Sequence, residues 1–342
     1  MKKVRVAING FGRIGRTLGR LLAYANDIEW VAVNDLSGTE VLTHLFKYDS
    51  VHGPFSGEVY SDGDKLFVNN QRVLFFHEAD PENLPWGDLN VDIVIEATGK
   101  FKTRSRASKH LVAGAQKVIL SAPPEDDSIK TIVLGVNDAI IDGKERILSN
   151  ASCTTNSAAP MIKLIDENCE IESCYVTTIH SFTTDQSVHD QPHRDFRRAR
   201  AASQSIIPTT TGAAKALTKI FPHLNNVIGG CGIRVPVPDG SLTDITFVVK
   251  EPKTIDQING LFKEASQNGM QGIMEFTDDP IVSVDIINNP HSCIFDSLLT
   301  SVIGKMIKVV GWYDNESGYA NRLVDLVRMS AVSIPDRRKL HT

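Results

Sequence analysis

The chain has 342 residues, 42% of them hydrophobic and 23% charged, with a formal net charge of −5. At about 150 residues per domain this suits two domains or one large one, able to bury a full core without metals or disulfides. The composition excludes a disordered tail, a collagen-like rod and a disulfide-stapled miniprotein, and a mildly acidic chain does not suit a dedicated nucleic-acid binder, whose affinity rests on neutralising phosphates.

Val4-Arg5-Val6-Ala7-Ile8 is short and β-rich, and a glycine cluster follows at once. From Arg13 to about Ala25 the residues Ile14, Leu18, Leu21 and Leu22 fall at helical spacing, and Ile28 to Val33 reads as a second strand ending at Asn34-Asp35. Further strands are expected at Val91–Glu96, Val118–Leu120, Thr131–Val136 and Ile147–Leu148. Alternation of strand and helix over the first 150 residues predicts an α/β Rossmann domain, a doubly wound parallel sheet. The pattern then changes. Strands at Tyr175–Ile179, Asn226–Val235, Leu242–Val249 and Met306–Trp312, with helices near Ala159–Glu167, Gly212–Phe221 and Ile255–Gln267, predict an α+β domain with a mostly antiparallel sheet. A last helix begins near Ser317, with Tyr319, Leu323, Leu326 and Val327 on one face. The expected division is 1–150 and 151–315, with the helical segment 316–342 returning to the first domain.

Gly10-Phe11-Gly12-Arg13-Ile14-Gly15 is a G-x-G-x-x-G run that follows a strand and opens a helix. Gly10 allows the tight turn, Gly12 lets backbone approach a pyrophosphate, and Gly15 lets helix pack on strand. Asp35 lies 20 residues beyond Gly15 at a strand end, where it can accept from a ribose diol and repel a 2′-phosphate; NAD is the expected cofactor.

The five cysteines, Cys153, Cys169, Cys174, Cys231 and Cys293, are odd in number and irregularly spaced, which fits neither a disulfide framework nor a metal site. Cys153 lies between a strand and a helix in Ser149-Asn150-Ala151-Ser152-Cys153-Thr154-Thr155-Asn156. A helix N-terminus there would lower its pKa and favour a nucleophilic thiolate. Most free cysteines are inert core residues, but Ser152, Thr154 and Thr155 are poor company for a core thiol. His180 ends a strand and could serve Cys153 as a base, although a single histidine is more often a satisfied core residue and spacing alone does not bring the two together. Thr209-Thr210-Thr211-Gly212 is a hydroxyl-rich helix start that suits either phosphate or ordinary capping. Arg234 is a charge among apolar neighbours, an anion ligand or half of a structural salt bridge. The basic run from His193 to Arg200 reads as a solvated face or a subunit contact.

The stretches Ala7–Arg16, Ser149–Asn156, Ile206–Lys215, Arg234–Pro238 and Trp312–Glu316 together resemble the phosphorylating glyceraldehyde-3-phosphate dehydrogenases, over about residues 3 to 330. The resemblance implies that Cys153 attacks the aldehyde and that His180 acts as base and as donor to the developing oxyanion. Hydride passes to NAD, and inorganic phosphate releases 1,3-bisphosphoglycerate from a thioester. It further implies Thr183 and Arg234 as ligands of the substrate phosphate, and Ser152, Thr154, Thr211 and Gly212 as ligands of the attacking phosphate. Arg13 and Ile14 would donate backbone N–H groups to the pyrophosphate beside Gly10 and Gly12, and Asp35 would hold the adenosine ribose. Thr98, Gly99 and Ser121 would line the cofactor groove, and Asn315 would fix the nicotinamide carboxamide. The family is usually a homotetramer. Two other readings resemble the chain less well: an erythrose-4-phosphate dehydrogenase, which typically lacks the Thr-Thr-Gly segment complete here at Thr210-Thr211-Gly212, and a non-catalytic NAD-binding redox sensor. No apolar run is long enough to span a bilayer, and Gly10, Gly12, Arg13 and Arg16 interrupt any signal-peptide core, so the expected location is cytoplasmic, with no metal and no nucleic-acid partner.

Overall fold

The computed structural model describes residues 3–334, which divide into two compact units. The first comprises the chain to Ile132, Asp138–Ala151 and the chain from Ala320; the second comprises Val133–Asn137 and Ser152–Tyr319. Residues 335–342 of the segment expected to be helical lie outside the described residues.

In the first unit the chain runs β1 (Val4–Asn9), α1 (Arg13–Leu22), β2 (Ile28–Asn34), α2 (Thr39–Lys47), β3 (Tyr48–Asp49), β4 (Gly53–Pro54), β5 (Val59–Ser61), β6 (Lys65–Val68) and β7 (Gln71–Phe76). It continues through β8 (Ile93–Glu96), α3 (Arg104–Val112), β9 (Lys117–Leu120), β10 (Lys130–Thr131) and β11 (Ile147–Ser149). Nine strands form one sheet in the order β10-β11-β9-β8-β1-β2-β7-β6-β5, parallel from β10 to β7 and antiparallel beyond it. Val6, Ala7 and Ile8 are all fully buried, as expected for a central parallel strand covered on both faces. On one side Val31, Trp86, Val94 and Ala115 pack together; elsewhere Ala107 of α3 closes on Val118, Leu120 and Ile147. The order of strands reverses direction between β1 and β8, which makes the C-terminal ends of those two strands the topological switch point of the sheet.

The strand expected over Thr131–Val136 stops at Thr131. Gly135 has φ +77, Val136 and Asn137 donate their N–H groups back to the Val133 carbonyl, and the Asn137 side chain accepts from Val133 N–H, so the apolar run is spent in a turn.

The second unit contains α4 (Cys153–Cys169), β12 (Ile171–Ser181), β13 (Ile207–Thr209), α5 (Ala213–Ile220), β14 (Ile228–Val235), β15 (Ser241–Val249), α6 (Ile255–Gln267), β16 (Met274–Thr277), β17 (Cys293–Asp296), β18 (Ser301–Ile303), β19 (Met306–Tyr313) and α7 (Ser317–Ala331), whose later turns belong to the first unit. Its sheet runs β13-β14-β12-β15-β19-β17-β16 with β18 on β19, and is mostly antiparallel, with parallel pairs at β12–β14 and β16–β17. The face carrying Val176, Ile245, Phe247, Ile307 and Val309 is buried. The opposite face leaves Tyr175, Val248, Ile303 and Met306 exposed. Helix α6 opens with a reciprocal cap, Thr254 and Gln257 each accepting the other's backbone N–H, and buries Ile258 and Phe262. Among the described residues, no helix is long and apolar enough to cross a membrane.

Candidate active site

Gly10, Asp35, Thr98 and Ser121 each follow closely on the C-terminal end of one of four adjacent parallel strands, β1, β2, β8 and β9. Gly10 has φ +96, and a Cβ there would stand 2.7 Å from the Thr98 nitrogen. A Cβ on Gly15 would fall 2.1 Å from the Gly10 carbonyl oxygen, so α1 meets the turn at a distance only glycine permits. A Cβ on Gly12 would meet nothing within 4 Å. The start of α1 is therefore open, and Gly12 caps it with no side-chain acceptor. The Asp35 carboxylate is oriented by N–H groups of Phe11 (2.8 Å) and Ser37 (2.9 Å), which ties the end of β2 to the glycine turn. Arg13 turns its guanidinium to Asp49 at 2.5 Å. An anion-accepting helix start, a small-residue approach and a fixed acid make a cradle that fits a dinucleotide.

In the second unit α4 begins at Cys153 itself, six residues earlier than the helix expected from the apolar pattern. Ser152 is its cap: the hydroxyl accepts from Thr155 N–H at 3.1 Å. Ala151 before it has φ +56, an unusual conformation for a residue with a Cβ. Cys153 Sγ lies 3.4 Å from Nε2 of His180, a buried residue near the end of β12. Residue 180 pairs in register with Arg234 on the parallel neighbour β14. The Ser181 carbonyl is 2.7 Å from His180 Nδ1 and accepts from Arg234 Nη1 at 2.8 Å; Nη1 is also 2.7 Å from Nδ1. A carbonyl oxygen only accepts, so Nδ1 carries the proton and donates it to Ser181, alongside Nη1 as a second donor to the same oxygen, and the Nε2 lone pair turns toward the Cys153 thiol.

The expected depression of the thiol pKa does not hold. Burial pushes the half-buried Cys153 thiol above its ordinary value, against the pull of the Arg234 charge and of the Thr154 N–H and hydroxyl. Burial, with Arg234 beside it, pushes His180 down to about 3. The resting pair is thus a thiol and a neutral imidazole.

Two further groups frame this pair. Tyr313, buried edge-on to the His180 ring with centroids 5.9 Å apart, bridges the Thr154 and Thr178 hydroxyls at 3.0 and 2.9 Å. The Asn315 carbonyl oxygen accepts from the hydroxyls of Ser181 (2.8 Å) and Ser241 (2.6 Å), which turns its amide NH2 away from them. Thr211 accepts from Ala213 N–H at 3.2 Å at the start of α5. Arg198, from the basic run, donates to the Thr209 hydroxyl at 2.9 Å and to the Thr210 carbonyl, and pairs with Asp185 at 2.5 Å. Cys153, Ser152, Thr154, His180 and Arg234 thus form one connected group. Among the described residues no hydrogen bond links Thr183, Thr211 or Gly212 to it. Sequence reasoning did not single out Tyr313, Ser181, Ser241 or Arg198 as site residues. Tyr313 and Asn315 sit at the end of β19 within one short stretch, the one signal that could have marked the tyrosine.

Residues 4–104 match the family model described as glyceraldehyde 3-phosphate dehydrogenase, NAD binding domain, and residues 152–315 match its C-terminal domain. The chain is 52% identical over 326 residues to glyceraldehyde-3-phosphate dehydrogenase 2 of Streptomyces avermitilis, covering 94% of this chain and 97% of the relative. It is 48% identical to glyceraldehyde-3-phosphate dehydrogenase 2 of Bacillus subtilis (95% and 96% covered) and 50% identical to the Mycobacterium avium enzyme of that name (97% and 99% covered). A cysteine–histidine pair at a helix start, in a chain matched along nearly its whole length, leads to one assignment: the chain belongs to the glyceraldehyde-3-phosphate dehydrogenase family.

Proposed function

We propose that this chain is an NAD-dependent oxidoreductase of glycolytic type that converts glyceraldehyde 3-phosphate and inorganic phosphate to 1,3-bisphosphoglycerate. The observation that carries the reading is the 3.4 Å approach of Cys153 Sγ to His180 Nε2 at the head of α4, with Arg234 against the far side of the same ring. His180 takes the thiol proton as Cys153 Sγ bonds to the aldehyde carbon, and the imidazolium donates to the developing alkoxide. NAD, when bound, accepts the hydride released from that carbon. His180 holds the hydroxyl proton of the hemithioacetal as the carbonyl re-forms, leaving a thioester on Cys153. A phosphate oxygen then attacks the thioester carbon, the C–S bond breaks, and the sulfur regains its proton from His180. Because the thiol is not ionised at rest, deprotonation is coupled to attack.

Arg234 and Thr183 would hold the substrate phosphate, and Ser152, Thr154, Thr211 and Gly212 the attacking one. Arg13 and Ile14 would donate backbone N–H groups to the NAD pyrophosphate next to Gly10 and Gly12. Asp35 would accept from the ribose hydroxyls, and Thr98, Gly99 and Ser121 would line the groove. Asn315, its oxygen held by two serines, would donate NH2 to the carboxamide. A homotetramer is supported by the exposed apolar sheet face of Tyr175, Val248, Ile303 and Met306. Light scattering on the purified chain reads the assembly.

The test is NADH formation from glyceraldehyde 3-phosphate with and without inorganic phosphate, in the wild type and in Cys153→Ser. Turnover that requires phosphate and is lost in the variant is expected. Turnover of erythrose 4-phosphate that ignores phosphate would replace this reading with the sugar-phosphate alternative, and an inactive wild type would leave an NAD-binding sensor.

A further inference from the structure

Beneath the glycine turn lies a buried polar network that the mechanism above does not use. Glu96 ends β8 at the switch point and is 2% exposed; His110 of α3 and Trp86 are fully buried. The indole N–H of Trp86 meets His110 Nδ1 at 3.0 Å, and His110 Nε2 meets Glu96 Oε2 at 3.1 Å. An indole nitrogen only donates, so Nδ1 carries the lone pair and the ring proton sits on Nε2, aimed at the carboxylate. Oε2 also accepts from Asn9 Nδ2 at 2.5 Å. Oε1 accepts from the Thr98 N–H at 2.8 Å and from the Thr98 hydroxyl. Asn9 in turn accepts from Asn34 Nδ2 at 2.7 Å. These bonds run one way, from Trp86 through His110 to Glu96, with Thr98 and Asn9 donating into the same acceptor; Asn9 Nδ2, 3.4 Å from Nε2, stands beside it as a second donor to Oε2.

A carboxylate buried among neutral donors does not serve stability well; apolar residues of similar volume would often serve better. What it does here is fix a direction. Thr98 is the residue against which Gly10 turns, so the carboxylate that orients Thr98 also sets the wall of the dinucleotide cradle. We infer that Trp86, His110 and Glu96 form a directional relay whose product is cofactor affinity, with Glu96 and His110 as positioning residues for the loop from Ala97 to Gly99. This rests on the reading that NAD occupies the cradle at Gly10 and Gly12.

The experiment is calorimetric titration of the purified enzyme with NAD, alongside steady-state kinetics and thermal unfolding. Glu96→Gln keeps the shape but puts an NH2 where donors converge; its dissociation constant and KM for NAD should rise about tenfold or more, with kcat at saturating NAD and KM for the aldehyde within about twofold. His110→Leu should move in the same direction. His110→Gln can accept from Trp86 through its oxygen and donate to Glu96 through its nitrogen, so it should restore NAD affinity to within about threefold of the wild type. If Glu96→Gln does not fold, Thr98→Val, which removes one donor and keeps the shape, should still weaken NAD by several-fold. Folded Glu96→Gln and His110→Leu enzymes that bind NAD as the wild type does would overturn the inference. So would His110→Gln binding as weakly as His110→Leu, or Thr98→Val binding unchanged. A wild-type enzyme that binds no NAD overturns instead the cofactor reading beneath it.

Discussion

Replacing Arg234 by glutamine should shift the titration of Cys153 upward without any substrate present. The guanidinium is the largest influence opposing burial at the thiol, and its charge also depresses His180. Nη1 is 2.7 Å from His180 Nδ1, and Nε2 is 3.4 Å from Sγ, so the charge acts on sulfur from about 8 Å at most, reckoned across the ring. With an effective dielectric of about 20, a unit charge at that distance contributes ~2 kcal/mol, or about 1.5 pKa units. The assay is the rate of iodoacetamide modification of Cys153 against pH in cofactor-free enzyme, read on the Cys153 peptide by mass spectrometry. This separates it from half-buried Cys231 and from the buried Cys169, Cys174 and Cys293. The midpoint should move up by about 1 to 1.5 units in Arg234→Gln and stay near the wild type in Arg234→Lys, which keeps the charge. An unchanged or lowered midpoint in Arg234→Gln refutes the account of how the thiol is held. So does a Lys variant that shifts as far as the Gln variant, since geometry rather than charge would then be responsible.

Other perturbations separate fold from chemistry. Gly15→Ala forces a methyl to 2.1 Å from a backbone carbonyl and should cost at least ~3 kcal/mol in urea unfolding, whereas Gly12→Ala meets open space and should leave stability unchanged while weakening NAD binding measured by calorimetry. Tyr313→Phe strands the Thr154 and Thr178 hydroxyls and should lose about 1–3 kcal/mol by chemical denaturation; a variant as stable as the wild type would mean the bridge contributes nothing. Asp239 is buried near Asp314 and Glu316, and this raises its pKa from 3.8 to about 9. A raised folded-state pKa gives stability that is complete below about pH 4 and is lost as pH climbs toward 9. Asp239→Asn should therefore gain in melting temperature over the wild type as pH rises from about 5 to 9, and parallel curves would show that the carboxyl does not titrate as described.

Much of this was legible in the sequence, for local reasons. The glycine run, Asp35 and the Ala-Ser-Cys-Thr-Thr-Asn stretch each carry their chemistry within a few residues, and the period of α6 gives Ile255–Gln267 without tertiary help. The meander β5–β7 has a local signal too: two short, continuous apolar runs, Leu66–Val68 and Val73–Phe76, flank the turn at Asn69-Asn70, and Asn69 takes φ +51. The start of α4 is masked in the sequence because its first turn is polar and β-branched and Pro160 lies inside the helix; the Ser152 cap and the packing of the helix on the sheet override that poor propensity. The meeting of His180 with Arg234 was illegible for a different reason. It depends on the parallel register of β12 and β14, two strands joined by a long connection, and a slip by one residue would turn either side chain to the opposite face.

The sign of the thiol shift was also beyond reach of the sequence, and it changes the chemistry. A helix start argues for a thiolate, but that argument contains only the dipole; burial enters through elements distant in the chain, and here burial wins. With His180 held neutral by the same burial and by Arg234, neither partner is charged at rest. A neutral pair has no charge for the substrate phosphate to disturb on entry. An anion bound to the Arg234 guanidinium, as proposed above, would offset that charge's share of the depression of His180, while burial, the larger cause, stays. The ligand would then add to the basicity of the imidazole that serves it, through one arginine lying in register with one histidine.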